Sequence, residues 1–539
     1  MKGQGSMLLK QLRVGKKQLR EESNAILYHS LPELLDLPDL LALRLAVSKE
    51  QVTILAGDKK EFAMMLLLSR YYQGRTISIT KKPPQLSTRA QDTLKSAMHT
   101  LKCVTIVAES ERMGFAQFLE TINLFVGISE MELSWYRAPQ ISPAPLGREN
   151  VLTPQNVSQF ISLKRLSLQR AEISQADVVH FERLSVLTDL RLCWCVFIQN
   201  SEQELRALTQ LTALDISNPR HIECAEDASV EYLTSLTQLQ KLTLGSFQKQ
   251  DISRIECIGG VISLQKLHLC DTKTLTDQRI KSFLNLTNLS ELFLEQCWNI
   301  TISGIACLTS LRKLESLAII YEETWFTHAE GTSLEPLTHF SRLRSLSLSG
   351  VPDSCDHLNS TSPGIDNEAL KDIAKMTGLT SLSVFASPAD YNCLKSLSRL
   401  TQLEFLELHL ENNSESMADD VLKMFPRSVK KMEINCLDSK VLQGLYTHPG
   451  LTCLDLPDKY TAGMINPDES DDAAKFKEDL DEIIRTTPNL LSITGLYGPK
   501  ELTERRQKLK RRYRDASKSS RDESQNAASL ESGVEATPA

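Results

Sequence analysis

One spacing of apolar residues recurs through most of this chain and limits what it can fold into. The pattern L-x-x-L-x-L, with Ile, Val or Met at some positions, occurs twelve times between residues 163 and 456. The steps between first residues run from 22 to 36 residues and centre near 25. This register predicts a repeat array, because no single unit can bury its apolar side unless neighbours stack on it. The units begin at Leu163, Leu187, Leu211, Leu239, Leu264, Leu289, Leu314, Leu343, Leu379, Leu403, Val429 and Leu451.

The repeated motif resembles that of the leucine-rich repeat family over about three hundred residues. The resemblance implies an α/β leucine-rich repeat solenoid, a curved horseshoe with a parallel sheet on its concave side and helices on its convex side. The unit from Leu289 also resembles the cysteine-containing, ribonuclease-inhibitor-like subtype, with Cys297 and Gly304 in matching positions. The helix entry of that subtype is matched around Asp277 and Asp366, and we expect each carboxylate to cap the helix that follows it.

The sequence divides into five parts. Residues 1–50 form a basic segment and an apolar helix, and residues 51–136 hold degenerate repeats whose strand-like runs are 25 to 27 residues apart. A Pro-rich loop at 137–150 precedes the regular repeats, insertions and C-terminal cap of 151–503. Residues 504–539 hold a basic run and a tail rich in serine, alanine and acids, whose composition predicts disorder.

Charge narrows the classes of partner. The whole chain carries −7, but residues 21–503 hold 46 basic and 62 acidic residues, a net charge of −16. A body this acidic repels phosphate backbones, so nucleic acid is not an expected partner. The basic run Glu504–Arg514 is either a solvated terminal helix or a patch for nuclear import or an anionic surface.

The cellular location of the protein is predicted from the targeting features that its sequence lacks. No apolar stretch reaches about 18 residues, so we expect no membrane span. The basic start lacks the uninterrupted apolar core of a secretory signal, and the twelve cysteines include no CxxC pair. These features predict reduced core or strand cysteines in a protein of the cytoplasm or nucleus.

The segment Ser30–Lys49 resembles part of an F-box. A Leu-Pro pair and the run D-L-L-x-L-R-x-x-V-S-K fill positions of that pattern, although Glu50-Gln51 stands where the family has tryptophan. The resemblance implies an F-box-like substrate receptor of a Skp/cullin ubiquitin ligase. Alternatively, the leucines of this segment cap the open end of the solenoid, which every repeat array needs, and the two roles are compatible. The residues implied to dock a Skp-type adaptor are Leu31, Pro32, Asp39, Leu40, Leu41 and Val47.

Signatures of catalysis are missing from the sequence. It contains no GxxxxGK[ST], no GxSxG, no HExxH and no GxGxxG after a strand, and its ten histidines are dispersed. We therefore expect no enzyme activity, no cofactor and no metal-ligand set. Binding a partner is then the expected class of function, and we predict a non-catalytic intracellular protein-protein interaction scaffold.

The strand register predicts which side chains face outward on the concave sheet. Apolar and aromatic ones cluster from the Leu289 unit to the Leu403 unit, with serines between them and insertions at 321–334 and 351–366 beside them. Exposed aromatic groups are typical of protein-binding hot spots. Alternatively, the insertions fold over these aromatics and bury them as a satellite core. The predicted partner-binding residues are His268, Phe293, Glu295, Ile320, Tyr321, Phe385, Phe405 and His409.

Overall fold

The chain divides into two compact units, Met1–Leu275 and Thr276–Ala539. The computed structural model describes residues 51–54, 76–79, 103–109, 119, 122–123, 128–136, 152–199, 201–222, 228–245, 252–321, 333–350, 365–386, 391–410, 425–434, 450–455, 480–485, 487, 489–493 and 500–511. The F-box-like segment, the Pro-rich loop, most of the insertions at 321–334 and 351–366, and the C-terminal tail lie outside these residues.

The first unit is built on a parallel sheet with one strand per repeat. Its strands pair in the order β1, β2, β3, β4, β5, β7, β9, β12 and β14. Equivalent leucines are in register from strand to strand, as Leu166, Leu190 and Leu214 show. These strands are β1 (Gln51–Ile54), β2 (Thr76–Ile79), β3 (Cys103–Glu109), β4 (Glu130–Tyr136), β5 (Arg165–Gln169), β7 (Asp189–Cys193), β9 (Ala213–Ser217), β12 (Lys241–Gly245) and β14 (Lys266–Cys270).

Five further short strands of the first unit form two small parallel sheets. One has the order β10, β8, β6 and the other pairs β11 with β13. They follow the main strands by a few residues and add hydrogen bonds between neighbouring repeats. Their bounds are β6 (Glu172–Ile173), β8 (Val196–Ile198), β10 (Arg220–Ile222), β11 (Ala228–Ser229) and β13 (Ile252–Ser253).

The second unit repeats the same architecture. Its parallel strands pair in sequence order from β15 to β22. The apolar residue of each motif again stays in register, as Leu292, Leu317 and Leu346 show. The strands are β15 (Glu291–Glu295), β16 (Ser316–Tyr321), β17 (Ser345–Gly350), β18 (Ser381–Ala386), β19 (Phe405–Leu410), β20 (Lys431–Ile434), β21 (Cys453–Asp455) and β22 (Ser492–Ile493).

The leucines of the motif form the core. Those in β5 to β19 are at most 2% exposed, whereas the residues between them are mostly half-buried or exposed. Two consecutive amides at the start of most main strands from β5 onward share one carbonyl of the preceding repeat, as Thr188 and Asp189 do with Lys164 O at 2.9 and 3.0 Å. Side chains alternate across a strand, so this register places every motif leucine inside. The chain is an α/β leucine-rich repeat solenoid, as the sequence predicts.

The segments between strands contain short helices. The α-helices are α1 (Gln175–Glu182), α2 (Ile302–Ala306), α3 (Asn367–Ile373) and α4 (Tyr391–Ser396). Many other repeats have a 3-10 helix of one or two turns, whose apolar residues point into the leucine core. Those described are Pro154–Val157, Ser201–Ala207, Glu231–Ser235, Ile255–Gly260, Ile280–Asn285, Cys307–Ser310, Glu335–His339 and Leu397–Arg399.

Only one of the two predicted helix caps forms. Asp366 accepts a hydrogen bond from Ala369 N at 2.8 Å at the start of α3, which confirms that prediction. The prediction for Asp277 is wrong, because its carboxylate binds the amide and hydroxyl of Thr301 in the next repeat, at 2.8 and 2.6 Å. Thr301 caps α2 by accepting from Gly304 N. Asp277 therefore joins two repeats instead of capping its own.

The described cysteines with a characterised environment are free thiols. Burial, helped by the charge of Asp215, raises the pKa of Cys193 to about 11. Burial also raises the pKa of Cys195 to about 12. Both thiols are therefore protonated at neutral pH, in keeping with the predicted role as core or strand residues.

The C-terminal part of the second unit holds two helical segments, residues 480–485 and 500–511. Leu502 and Leu509 of the later segment are buried. Arg505 binds both carboxylate oxygens of Asp481 at 2.8 and 2.6 Å, and Arg506 donates to three backbone carbonyls of residues 484–490. Arg505 and Arg506 of the basic run thus pack against residues 481–490. No helix in the described part of the chain has the length and apolarity needed to cross a bilayer.

Candidate functional site

The outward side of strands β15 to β20 in the second unit carries three rows of side chains, here named the strand face. The first row runs through Ser316 and Phe405, the second through Phe293 and Glu407, and the third through Ile320. Because paired residues in a parallel sheet stand side by side, the first two rows are continuous from one repeat to the next.

Apolar side chains form one part of the strand face. Phe293 is half-buried and stands in register with Ala318, which is only 8% exposed. Ile320, in the next row, is half-buried and in register with Glu295. Phe385 is half-buried two strands farther along. These side chains are therefore neither fully exposed nor part of the closed core.

Serines form the floor between these bulky groups. Ser345 is in register with Ser381, and Ser347 with Ser383. Ser383 is only 8% exposed and hydrogen-bonds to the Glu407 carboxylate on β19. The small side chains keep this part of the surface low, so that a partner's side chain has room to approach the backbone.

Charged groups gather at the other end of the strand face. The Nε2 atom of His409 lies 2.9 Å from Oε1 of Glu407, and Glu433 is in register with Glu407 on β20. The ligand-type atoms of these three residues, named the Glu–His cluster, all lie within 4.8 Å of one another. The Lys431 ammonium stands 5.0 Å from the centre of the Phe405 ring, a cation–π distance.

The electrostatics of the Glu–His cluster favour an ionised carboxylate. The hydrogen bond with His409 lowers the pKa of Glu407, acting against burial, which raises it. The hydrogen bond with Ser383 and the charges of His409 and Lys431 lower it further. Glu407 is thus an anion over the whole neutral range.

The predicted partner-binding residues fall into three groups. Phe293, Glu295 and Ile320 stand at one end of the strand face, and Phe385, Phe405 and His409 at the other. His268 is half-buried on β14 in the first unit, in register with Thr243. Tyr321 ends β16, and its side chain lies outside the described residues, as do all the predicted adaptor-docking residues.

The sequence-based prediction names His409 alone and does not group it with Glu407 and Glu433, whose ligand-type atoms the structure brings within 4.8 Å of one another. The signal for the Glu–His cluster is present in the sequence, because Glu407 and Glu433 occupy the same motif position of adjacent repeats and His409 follows two residues after Glu407. A short contiguous motif does not contain the cluster, since Glu433 lies 26 residues after Glu407. Reading the motif positions across repeats would have found it.

Comparisons with known proteins add limited information. No known family model matches the chain. It is similar to SWI5-dependent HO expression protein 3 of Candida albicans, with 26% identity over 226 residues that cover 39% of this chain and 43% of that protein. The chain therefore spans less than half the length of this curated relative.

Two solved structures are also similar to the chain. One is an internalin from Listeria monocytogenes, with 18% identity and a TM-score of 0.38, covering 64% of this chain and 87% of the internalin. The other is the TLR13–ssRNA13 complex, with 15% identity and a TM-score of 0.34, covering 74% of this chain and 66% of that one. The leucine-rich repeat fold itself follows from the strand register and the leucine core.

Proposed function

We propose that the chain is a non-catalytic protein-interaction scaffold that binds a protein partner on the strand face, the concave side of a leucine-rich repeat solenoid. One observation carries the proposal: Phe293, Ile320, Phe385 and Phe405 are half-buried on neighbouring strands with serines between them. Covering such apolar groups with a partner removes them from water, which favours binding. The hydrogen-bonded strands hold them in place, so association orders little backbone.

Charge indicates the chemistry of the partner. Glu407 and Glu433 flank the apolar groups, and residues 21–503 carry a net charge of −16. A protein segment with apolar side chains and a basic group complements this surface, whereas a phosphate backbone is repelled. We place this interaction in the cytoplasm or the nucleus.

The test is affinity purification with mass spectrometry of the full chain and a variant carrying Phe293→Ala and Phe385→Ala. The matched control is Leu284→Ala, because Leu284 is apolar and 36% exposed but lies in a 3-10 helix outside the strand face. We expect the double variant alone to lose partners while its melting temperature stays within a few degrees of the parent. An unchanged partner set contradicts the proposal, and a large drop in melting temperature supports the satellite core.

A second candidate function rests on the sequence of the N-terminal segment. The F-box-like match at Leu31–Lys49 and the cysteine-type repeat with its buried Cys297 suggest a substrate receptor of a Skp/cullin ubiquitin ligase. Affinity purification of the full chain should then recover a Skp-type adaptor and a cullin, and a chain lacking residues 1–50 should not. If neither chain recovers an adaptor and the truncation only lowers the melting temperature, the segment is a cap.

A further inference from the structure

We propose that the Glu–His cluster is a binding site for one divalent transition-metal ion of the Zn²⁺ class, open to solvent on the strand face. Its three residues provide two carboxylates and one imidazole, which are ligand types that Zn²⁺ takes in proteins. This site is independent of the partner-binding proposal, since it needs no protein partner to form.

Backbone geometry brings the three ligands together. The parallel register fixes Glu407 opposite Glu433 on β19 and β20, and His409 shares their face because side chains alternate along a strand. The ligand atoms lie within 4.8 Å of one another. Donors of a tetrahedral zinc site stand roughly 3.4 Å apart, given bond lengths of about 2.0–2.1 Å. The largest gap to close is thus about 1.4 Å, a distance that side-chain rotation can cover.

Neighbouring groups support the ligands. The hydrogen bond from Ser383 to Glu407 provides an outer contact that orients a ligating carboxylate. His409 and Glu407 are each 27% exposed, so the ion would be partly shielded but reachable. Three protein ligands leave a fourth position for water.

The local charge attracts a cation. With the imidazole in the neutral form that binds a metal, the two carboxylates give −2, and Lys431 returns one positive charge. The cluster therefore keeps a net negative charge with Lys431 included.

The experiment titrates the full chain with Zn²⁺ by isothermal calorimetry and with Co²⁺ by visible absorption. We expect one saturable site and the intense d–d bands of tetrahedral Co²⁺, without a thiolate charge-transfer band, because no cysteine belongs to the cluster. Loss of an outer-shell contact alone weakens metal binding about 10- to 100-fold. His409→Ala and Glu433→Gln, which remove direct ligands, should each weaken it at least about 100-fold.

Matched variants separate this site from incidental binding. His339 also pairs with a glutamate, Glu335 at 3.5 Å, but stands outside the cluster, so His339→Ala should bind Zn²⁺ like the parent. Lys431→Met should bind it more tightly because a repelling charge is gone. The thermal melt of each variant confirms folding. Equal Zn²⁺ affinity in the parent and both ligand variants, a thiolate band, or no saturable binding each overturns the proposal.

Discussion

Replacing Gly304 with alanine is expected to break a contact between two neighbouring repeats of the second unit. Asp277 of the preceding repeat binds the amide and hydroxyl of Thr301, which caps α2. A β-carbon on Gly304 would overlap Oδ1 of Asp277 and stand 2.7 Å from its Cγ. The carboxylate must move away, so both of its hydrogen bonds to Thr301 are lost.

The expected loss of stability is estimated from these two hydrogen bonds. A hydrogen bond to a charged group contributes about 1.5–3 kcal/mol, and the lower value applies because Asp277 is partly exposed. Two lost bonds therefore cost about 3 kcal/mol, while alanine in place of glycine within a helix returns at most about 1 kcal/mol. The expected net loss of local stability is about 2 kcal/mol, or roughly a 30-fold faster amide exchange.

Hydrogen exchange followed by mass spectrometry measures this loss over residues 301–306, and it suits a repeat protein whose unfolding need not be two-state. Gly378→Ala is the control, since a β-carbon there stands 3.7 Å from Leu343 O, an ordinary contact. In an Asp277→Ala background, Gly304→Ala should be neutral or stabilising. Equal destabilisation by Gly304→Ala in both backgrounds would refute the reasoning.

Three further predictions concern stability and reactivity. Arg506→Met keeps the apolar stem but loses hydrogen bonds to three carbonyls at 2.8 to 3.0 Å, so protection of residues 480–493 from hydrogen exchange should fall by at least about 2 kcal/mol. The pKa of Glu407 is lower in the folded chain than in the unfolded chain, chiefly because of its hydrogen bond with His409. The Glu407 carboxylate therefore contributes its full stabilisation above the unfolded pKa of about 4.3. This contribution is lost as the pH falls through the folded-state pKa. Urea unfolding between about pH 2 and 6 should therefore depend less on pH in Glu407→Gln than in the parent. At pH 8, a pKa of about 11 leaves roughly one Cys193 thiol in a thousand ionised, so iodoacetamide mapping should find Cys193 and Cys195 unmodified in the folded chain but labelled in urea.

The fold could be predicted from the sequence because the spacing of the leucines indicates which positions are buried. Motif residues such as Leu190 and Leu292 are buried, and their spacing determines which strands pair. The same register placed Phe293, Phe385 and Phe405 on the outward side, where they are half-buried. The period at which apolar residues recur predicts which positions are buried, so a single sequence is enough for this prediction.

Contacts between repeats were harder to predict. In the matched segments 275–280 and 365–370, Asp366 stands where Thr276 does, and Asp277 lies one position later. Asp277 instead reaches into the next repeat, where it accepts from the amide and the hydroxyl of Thr301. The Glu–His cluster likewise depends on which strands are neighbours and on how side chains rotate. Local sequence does not encode these distances, so each requires the assembled structure.

Neighbouring repeats are joined through equivalent backbone carbonyls, so a whole repeat could be removed while this contact is kept. Lys164 O accepts from Thr188 and Asp189, and the equivalent carbonyl of Thr188 accepts from Thr212 and Ala213. Excising the 24 residues 187–210 would therefore bring Thr212 and Ala213 to Lys164, and β10 to β6 in place of β8. Lys164 O would thus again accept from two consecutive amides. Loss or duplication of whole repeats is thus a change of length that this architecture can tolerate without redesign of its remaining parts.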